Sequence, residues 1–408
     1  MGYSVVLGNR KFSALLLGQI ISLLGDVILG VALYWYVFTL KGTATAVSYL
    51  SLAFVVPNLI FSLLGGPLVD RWNRRRIMMS SDLLRCLAIL FIPALYELGG
   101  LSLTALYVIV FVSGSASAFF LPARSAIIPQ IFHDKDQLTS ANSLMNGAFE
   151  AIRTIGQGIS GVVIGLVTAI GAAALDSITF LISAISILAM GTIASPPKSA
   201  RDQQKGVVGV LADMSEGFAY VWKNFVIRIV LISSLLGNFF ITIGYGFSVV
   251  YAKDALSTNL LGYGILSAAV TVGTVSGSLL VGKVKFRKHL GRTLILSSIL
   301  MGAAIVVLSP QTSIFAAIPL IVLFGLCLAI YNVNYVNMLQ ATVPNELLGR
   351  VMSLDQIISF AITPIAFAIG GPLVDLIGIR IAYLLSGGAV MVIGSVTFVS
   401  RRFRTCSY

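Results

Sequence analysis

Ionisable side chains are rare inside the long apolar runs of this sequence, so the few that occur there are the first candidates for chemistry. Asp26 is the deepest of them, about 20 Å into the first run at ~1.5 Å per residue, and that run offers it no basic partner. A carboxylate in a low dielectric takes up a proton more readily than one in water. We therefore predict that Asp26 binds and releases a proton; the alternative is a structural carboxylate shielded from lipid.

Two acid–base pairs share the spacing i, i+3, which places both members of a pair on one helix face. Glu150 and Arg153 lie in the fifth apolar run. Either they neutralise each other, or Glu150 is the second candidate for proton coupling. Asp82 and Arg85 lie near the inner end of the third run, where we predict a structural ion pair.

Other reactive groups are sparse. Asp176 and Asp375 fall near the outer ends of apolar runs and are expected to be solvated or to cap helices. His133 and His289 fall in predicted loops and the three cysteines are isolated, which predicts neither a metal site nor a disulfide framework. The motifs of ATP-binding loops and of serine or zinc hydrolases are missing. We expect no cofactor and no enzymatic activity.

The composition requires a membrane around these groups. The 408 residues are 57% hydrophobic and only 10% charged, with a mean hydropathy of +0.97, whereas soluble domains carry about 25% charged residues. A spanning helix needs about 20 apolar residues, and strands would leave backbone groups unpaired in lipid. The runs predict an all-α membrane protein with twelve transmembrane helices, near 12–38, 44–69, 77–97, 101–122, 138–168, 171–194, 226–252, 259–282, 293–309, 313–338, 350–377 and 379–400.

The net charge of +12 comes from basic residues that are placed unevenly in the loops on the two sides of the membrane. With a cytoplasmic N-terminus, Lys41, Lys253 and Arg380 are the only basic residues on the outer side, and the other loops collect the rest. This is the positive-inside pattern. It predicts a multi-pass plasma-membrane protein with both termini in the cytoplasm, and it argues against nucleic acid as a partner.

The chain reads as two similar halves. The predicted domains are an N-terminal six-helix bundle (1–194), a cytoplasmic linker with an amphipathic helix (195–225) and a C-terminal six-helix bundle (226–408). The letters GGPLVD occur twice, at 65–70 and at 370–375, ending the second and eleventh helices. The two copies are explained either by inverted repeats nested within each half or by convergence at close-packed helix ends.

Residues Gly66–Arg75, GPLVDRWNRR, resemble the signature Gly-x-x-x-Asp-Arg-x-Gly-Arg-Arg between helices 2 and 3 of the major facilitator superfamily. Asn73 replaces a glycine, and asparagine is expected to tolerate the left-handed backbone there. The stretch Val343–Val351 also fits this family. Gly18–Asp26, GQIISLLGD, resembles the first helix of its macrolide-efflux and enterobactin-exporter-like branch.

The resemblance implies a gating latch made of Gly66, Asp70, Arg71, Arg74 and Arg75. In family members the carboxylate docks on the positive N-terminus of helix 11 and ties the halves together while the cavity opens outward. Gly66 would permit close helix approach. The arginines would pair with acids or lipid phosphates, or would serve only as topology signals.

The resemblance also implies that helices 1, 4, 7 and 10 line the substrate cavity. Helix 4 carries Arg124 only at its inner end, so the usual carboxylate–arginine proton relay lacks its arginine. IGQGISGVVIG, 155–165, resembles an exporter-associated element without its proline, which favours export or generic helix packing. The candidates for substrate binding, with interhelical hydrogen bonding as the alternative, are Gln19, Asn238, Tyr245, Tyr331, Asn332 and Tyr335.

These observations together predict a monomeric secondary active transporter. We expect proton-driven export of amphipathic or hydrophobic small molecules by alternating access. The alternatives are a proton- or sodium-coupled uptake symporter of a polar solute and a divalent metal exporter of the same fold; the second of these would need imidazole or soft ligands at mid-membrane.

Overall fold

A computed structural model describes residues 2–191, 218–283 and 290–399, without the side chains of 2–3, 62–71, 283, 345 and 397–399. Every regular element in this part of the chain is helical. Eleven of its stretches are long and apolar enough to cross a membrane. The predicted all-α membrane class is therefore confirmed.

The first half begins with a short helix, Gly2–Gly8. The spanning helices follow as α1 (Arg10–Lys41), α2 (Ala44–Arg71), α3 (Arg74–Glu97) and α4 (Leu103–Ile131), and then a continuous run of 55 residues, Lys135–Ala189.

The 55-residue run is two helices joined at Thr168. This residue has φ 67° and ψ 172°, a conformation that no α-helix contains. Its Oγ1 accepts a hydrogen bond from the backbone N–H of Gly171 at 3.3 Å, as an N-cap does. We call the arms α5 (135–167) and α6 (169–189). With this division the number of spanning helices agrees with the predicted twelve.

The second half begins with α7 (Phe225–Tyr245), which leads through Ser248–Val250 into a π-helical turn, Tyr251–Ala255. The remaining helices are α8 (Leu260–Lys283), α9 (Leu290–Leu308), α10 (Ile314–Thr342), α11 (Asn345–Ile377) and α12 (Ile379–Val399).

Most helix bounds lie within a few residues of the prediction, but the predicted end of the fourth helix at 122 is wrong. Helix α4 continues through Pro122 and Pro129 to Ile131. Its last turns bury Ala123, Ile127 and Ile128 in the core. This burial offsets the hydrogen bonds lost at the prolines, which membrane helices tolerate.

The chain divides into two compact units. The first comprises Met1–Lys41 and Tyr49–Ser199, and the second comprises Gly42–Ser48 and Ala200–Tyr408. The start of α2 therefore groups with the second unit, whereas the rest of this helix belongs to the first. The predicted boundaries at 194 and 225 stay predictions.

In the first unit, α1 and α3 pack against the α5–α6 run, and α3 also packs against α4. Bulky apolar side chains fill the space between these helices, among them Phe12, Met78, Phe120, Phe149 and Ile187. Phe12 and Phe132 meet edge to face at 5.4 Å, a favourable ring geometry.

In the second unit, α8 packs against α10, and α9 packs against α10 and α12. Small residues permit the closest approach. A Cβ at Gly302 of α9 would lie 2.6 Å from the carbonyl oxygen of Gly387 in α12. This is the small-residue packing by which membrane helices associate.

Most of the predicted amphipathic linker helix, including Val207, Val210, Leu211 and Met214, lies outside the described residues. Residues 218–223 are helical, and the rings of Phe218 and Trp222 stack at 5.7 Å.

Candidate functional site

A cluster of charged side chains lies inside the first unit, contributed by α1, α3 and α6. Helix α3 buries Met78, Asp82, Arg85 and Ile89, which follow each other at helical spacing on one face. The i, i+3 pair of charges therefore points into the bundle along with the apolar stripe.

Arg85 is the centre of the cluster. Its Nη2 donates to Asp82 Oδ1 in the predicted ion pair, and its Nη1 lies 3.9 Å from Asp26 Oδ2 on α1. The side chains of Arg85 and Asp82 are 6% and 0% exposed, whereas that of Asp26 is 44% exposed. One buried guanidinium thus lies between a fully buried carboxylate and an accessible one.

Two aromatic rings hold the guanidinium. The Cζ atom of Arg85 lies 4.7 Å from the centroid of Phe120 in α4 and 4.2 Å from that of Phe180 in α6. Cation–π attraction contributes about 2 kcal/mol when the site is desolvated. The rings leave the donor edge of the guanidinium for the two carboxylates.

A hydrogen-bonded chain fixes Asp82 from its other side. Ser183 Oγ donates to Asp82 Oδ2 at 2.6 Å, and Gln19 Nε2 donates to Ser183 Oγ at 2.9 Å. All three side chains are buried. Asp82 therefore has a hydrogen-bond partner on each of its two carboxylate oxygens.

Asp176 of α6 is also fully buried, which differs from the solvated or capping role predicted for it. Its Oδ1 accepts from Thr179 Oγ1 at 3.1 Å, while its Oδ2 has no hydrogen-bond partner among the described residues. A methyl group at Gly25 of α1 would collide with Asp176 and Thr179. The absence of a side chain at Gly25 thus brings α1, next to Asp26, against this carboxyl group.

The cluster holds more carboxyl groups than basic groups. Three carboxyl groups lie in the cluster, two of them in contact with its one guanidinium, and an unpaired buried charge costs several kcal/mol. Full ionisation would place three negative charges beside one positive charge, and protonation of a carboxyl group reduces that excess. Asp26 has the most exposed side chain of the three.

The contact between Asp26 and Arg85 could not be foreseen from the first apolar run alone, since the partner comes from α3. Asp82 and Arg85 were expected to form an isolated structural pair, whereas they belong to this larger cluster. The sequence did contain a sign of this burial, because both residues share the helical spacing of the apolar residues on the buried face of α3.

The second predicted pair forms on the surface. Arg153 Nη1 lies 3.2 Å from Glu150 Oε1, and both side chains are more than half exposed. Arg124 stacks on Phe149, with 4.6 Å between its Cζ and the ring centroid. Among the described residues, neither Glu150 nor Arg153 is hydrogen-bonded to the cluster, although the charge of Arg153 acts on Asp26.

The latch residues are described only in part, because the side chains of Gly66, Asp70 and Arg71 lie outside the described set. Arg74 lies at the start of α3. Arg75 Nε donates to the carbonyl of Ile187 at 3.0 Å, and its Nη2 donates to that of Leu188 at 2.6 Å.

Arg75 thus satisfies the last carbonyls of α6 and complements the negative end of that helix. The sequence had suggested acids or lipid phosphates as its partners.

The expectation for Asn73 is wrong. Its φ is −71°, so the backbone is not left-handed, and its side chain accepts from the N–H of Arg76 as the N-cap of α3. Asparagine is selected here for capping, for which it is among the best residues.

The predicted substrate candidates are dispersed. Gln19 is buried in the hydrogen bond to Ser183. Tyr245 stacks on Phe324 at 4.9 Å, and the rings of Tyr331 and Tyr335 stack at 6.0 Å. Tyr331 also lines a small cavity between α7, α9 and α12. The exposed members of the set are Asn238 and Asn332.

A carboxylate that the sequence reading passed over lies in the second unit. Tyr335 Oη donates to Asp355 Oδ1 of α11 at 2.5 Å. Asp355 is partly buried within a spanning helix. The sequence could have pointed to it, because Asp355 is an acidic residue within an apolar run, ten residues after the start of α11.

The family model described as Major Facilitator Superfamily matches residues 15–366. The chain belongs to this superfamily. Its members are transporters, so this chain is a multi-pass membrane transporter of the major facilitator fold, as the loop signature indicated.

Two similar curated proteins are efflux proteins. The multidrug efflux pump Tap of Mycolicibacterium fortuitum is 28% identical over 394 residues, 93% of each chain. Macrolide efflux protein A of Streptococcus pyogenes is 26% identical over 397 residues, 95% of each chain. The resemblance of this transporter to the macrolide-efflux branch is confirmed.

Solved structures agree on the fold. A bacterial homologue of the iron transporter ferroportin, in the inward-facing state, superposes with a TM-score of 0.75 at 15% identity, covering 97% of this chain and 99% of that one. The nucleoside transporter NupG gives 0.72 at 14% identity, covering 95% and 98%. At these identities the likeness concerns the architecture alone.

Proposed function

We propose that this transporter exports amphipathic or hydrophobic small molecules across the plasma membrane in exchange for protons, with both termini in the cytoplasm. The single observation that carries the coupling is the position of Arg85 between buried Asp82 and accessible Asp26. The direction of transport and the class of substrate are supported by the relatives, which are named as multidrug and macrolide efflux proteins. The orientation is supported by the distribution of basic residues.

The cluster supplies a proton-dependent competition for one guanidinium. With Asp26 ionised, Asp26 and Asp82 both attract Arg85. A proton on Asp26 removes one negative charge, and Arg85 is then held by Asp82 alone. The change alters the contacts between α1 and α3, so that proton binding biases the arrangement of helices in the first unit.

The decisive variant is Asp26→Asn, which imitates the protonated group permanently. We expect it to abolish uphill transport, while substrate binding and energy-independent counterflow stay close to those of the parent. Transport of a macrolide and of a fluorescent amphipathic cation into inside-out vesicles measures this, with the proton gradient intact or collapsed by an ionophore.

Glu97→Gln is the matched control, because Glu97 is an exposed carboxylate at the end of α3. It should transport like the parent. If Asp26→Asn still concentrates substrate as well as the parent, coupling does not reside at Asp26, and Glu150→Gln becomes the variant to measure. Accumulation driven by a sodium gradient alone would replace protons by sodium in the proposal.

A further inference from the structure

The second copy of GGPLVD places a carboxylate on the start of α2. Asp375 Oδ1 accepts from the N–H of Ala44 at 2.6 Å, and its Oδ2 accepts from the N–H of Thr45 at 2.9 Å and from Thr45 Oγ1 at 2.5 Å. The first amide groups of a helix have no intrahelical partners and carry partial positive charge. Asp375 therefore caps α2 with both oxygens, although it belongs to α11.

The glycine one turn earlier makes the contact possible. A Cβ at Gly371 would lie 2.8 Å from Ser48 Cβ and 3.0 Å from the carbonyl oxygen of Ala44. Ser48 is buried, and its Oγ donates to the carbonyl of Phe367 at 2.8 Å. Gly371 and Asp375 are four residues apart and so lie on one face of α11.

We call this set the outer clasp: Ala44, Thr45 and Ser48 of α2 with Gly371 and Asp375 of α11. It lies wholly in the second unit, which includes Gly42–Ser48. From Tyr49 onward, α2 belongs to the first unit. The clasp thus holds one turn of a helix whose remaining turns are packed elsewhere.

The hydrogen bonds of the outer clasp can break at a low cost in free energy. Asp375 and Thr45 are not buried, so the carboxylate can exchange its partners for water without the desolvation cost of a buried charge. Capping hydrogen bonds to an ionised group contribute measurably but modestly in such a setting. A few such contacts hold one conformation without making it permanent.

We infer that Asp375 is a gating residue for transport, and that the outer clasp opens and closes in each cycle at the end of α2 that the charge pattern places outside. The inference rests on the proposed export function but not on proton coupling. It gives the repeated letters a physical meaning: glycine permits close approach, and aspartate four residues later caps the approaching helix.

Distances between spin labels test the inference. Thr43 and Phe315 are exposed residues near the starts of α2 and α10, and labels there report the distance between these two helix ends. The native cysteines are replaced first. In the parent, we expect two distance populations whose ratio changes with a macrolide substrate. Asp375→Asn should shift this ratio toward the open population about threefold to tenfold.

Glu97→Gln again serves as the control for charge, since Glu97 is an exposed carboxylate at the end of α3. Gly371→Ala is a second, uncharged way to open the clasp, and Gly388→Ala is its control, because a Cβ there meets nothing within 4 Å. Both opening variants should reduce uphill export and shift the distances; both controls should do neither.

Two outcomes would overturn the inference. One is a single label-to-label distance in the parent that does not change when substrate is added. The clasp would then be a static helix cap. The other is a shift for Asp375→Asn with export at the parent's rate, which removes it from gating. Monodisperse elution in detergent shows that each variant is folded. These outcomes can be interpreted even if Asp26→Asn does not uncouple transport from protons, because none of them depends on proton coupling.

Discussion

Arg85 illustrates how one residue acquires a role from three helices. Its charge is balanced by Asp82 on its own helix and by Asp26 on α1, and its planar head lies between Phe120 and Phe180. Lysine would keep the charge but would lose both the forked donors and the stacking. The identity of the cation therefore matters as much as its sign.

We predict that Arg85→Lys lowers uphill export at least tenfold, because an ammonium cannot bridge two carboxylates while stacked between rings. Arg153→Lys, at the exposed pair with Glu150, should change it less than twofold, as surface ion pairs contribute little. Initial rates in inside-out vesicles across a range of pH measure both variants. Equal rates for the two variants would contradict a role for Arg85 in coupling.

At the residue scale, sequence reasoning reached the ion pairs but not their assembly. The pairs Asp82–Arg85 and Glu150–Arg153 follow from a spacing of three. The contact of Asp26 with Arg85 joins residues on different helices, and no local pattern specifies which helices pack. Asp176 was placed near a helix end because α6 was expected to begin close to it, whereas the protein buries it against Gly25.

At the scale of elements, apolar length predicted the helices well, because lipid leaves a chain few alternatives. The errors arose where a side chain or packing overrides a local rule. The fourth helix was predicted to end at 122, but α4 continues through Pro122 and Pro129 and buries Ile127 and Ile128. Asn73 was interpreted as a substitute for glycine, whereas it caps α3.

Helix α1 offers a matched test of its packing on α6. Gly25→Ala should destabilise the protein by about 1–3 kcal/mol, because the added methyl group overlaps Asp176 and Thr179. Gly30→Ala on the same helix meets nothing within 4 Å and should be neutral or slightly stabilising. Thermal unfolding in detergent compares them. If the Gly25 variant melts at or above the parent's temperature, α1 and α6 do not approach as closely as described.

At the scale of the whole molecule, the positive-inside pattern predicts which ends of the helices face the medium. A cysteine replacing Leu98, between α3 and α4, or Phe315, at the start of α10, should react with an impermeant maleimide added to intact cells. A cysteine replacing His133, between α4 and α5, should react only after permeabilisation. Leu98 and Phe315 are highly exposed. The reverse labelling pattern would invert the topology and, with it, the outer side assigned to the clasp.

The two aromatic rings around Arg85 have an electrical consequence. The rings flank the guanidinium, and the gap from its Nη1 to Asp26 Oδ2 is 3.9 Å. Against a hydrocarbon core of about 30 Å, movement of the guanidinium across that gap carries at most roughly a tenth of an elementary charge through the membrane field. Movement of Arg85 alone would therefore contribute little to the voltage dependence of transport. In the proposed exchange, the electrogenicity would then depend mainly on the charges of the protons and the cargo, so that neutral and cationic cargoes would respond differently to the same membrane potential.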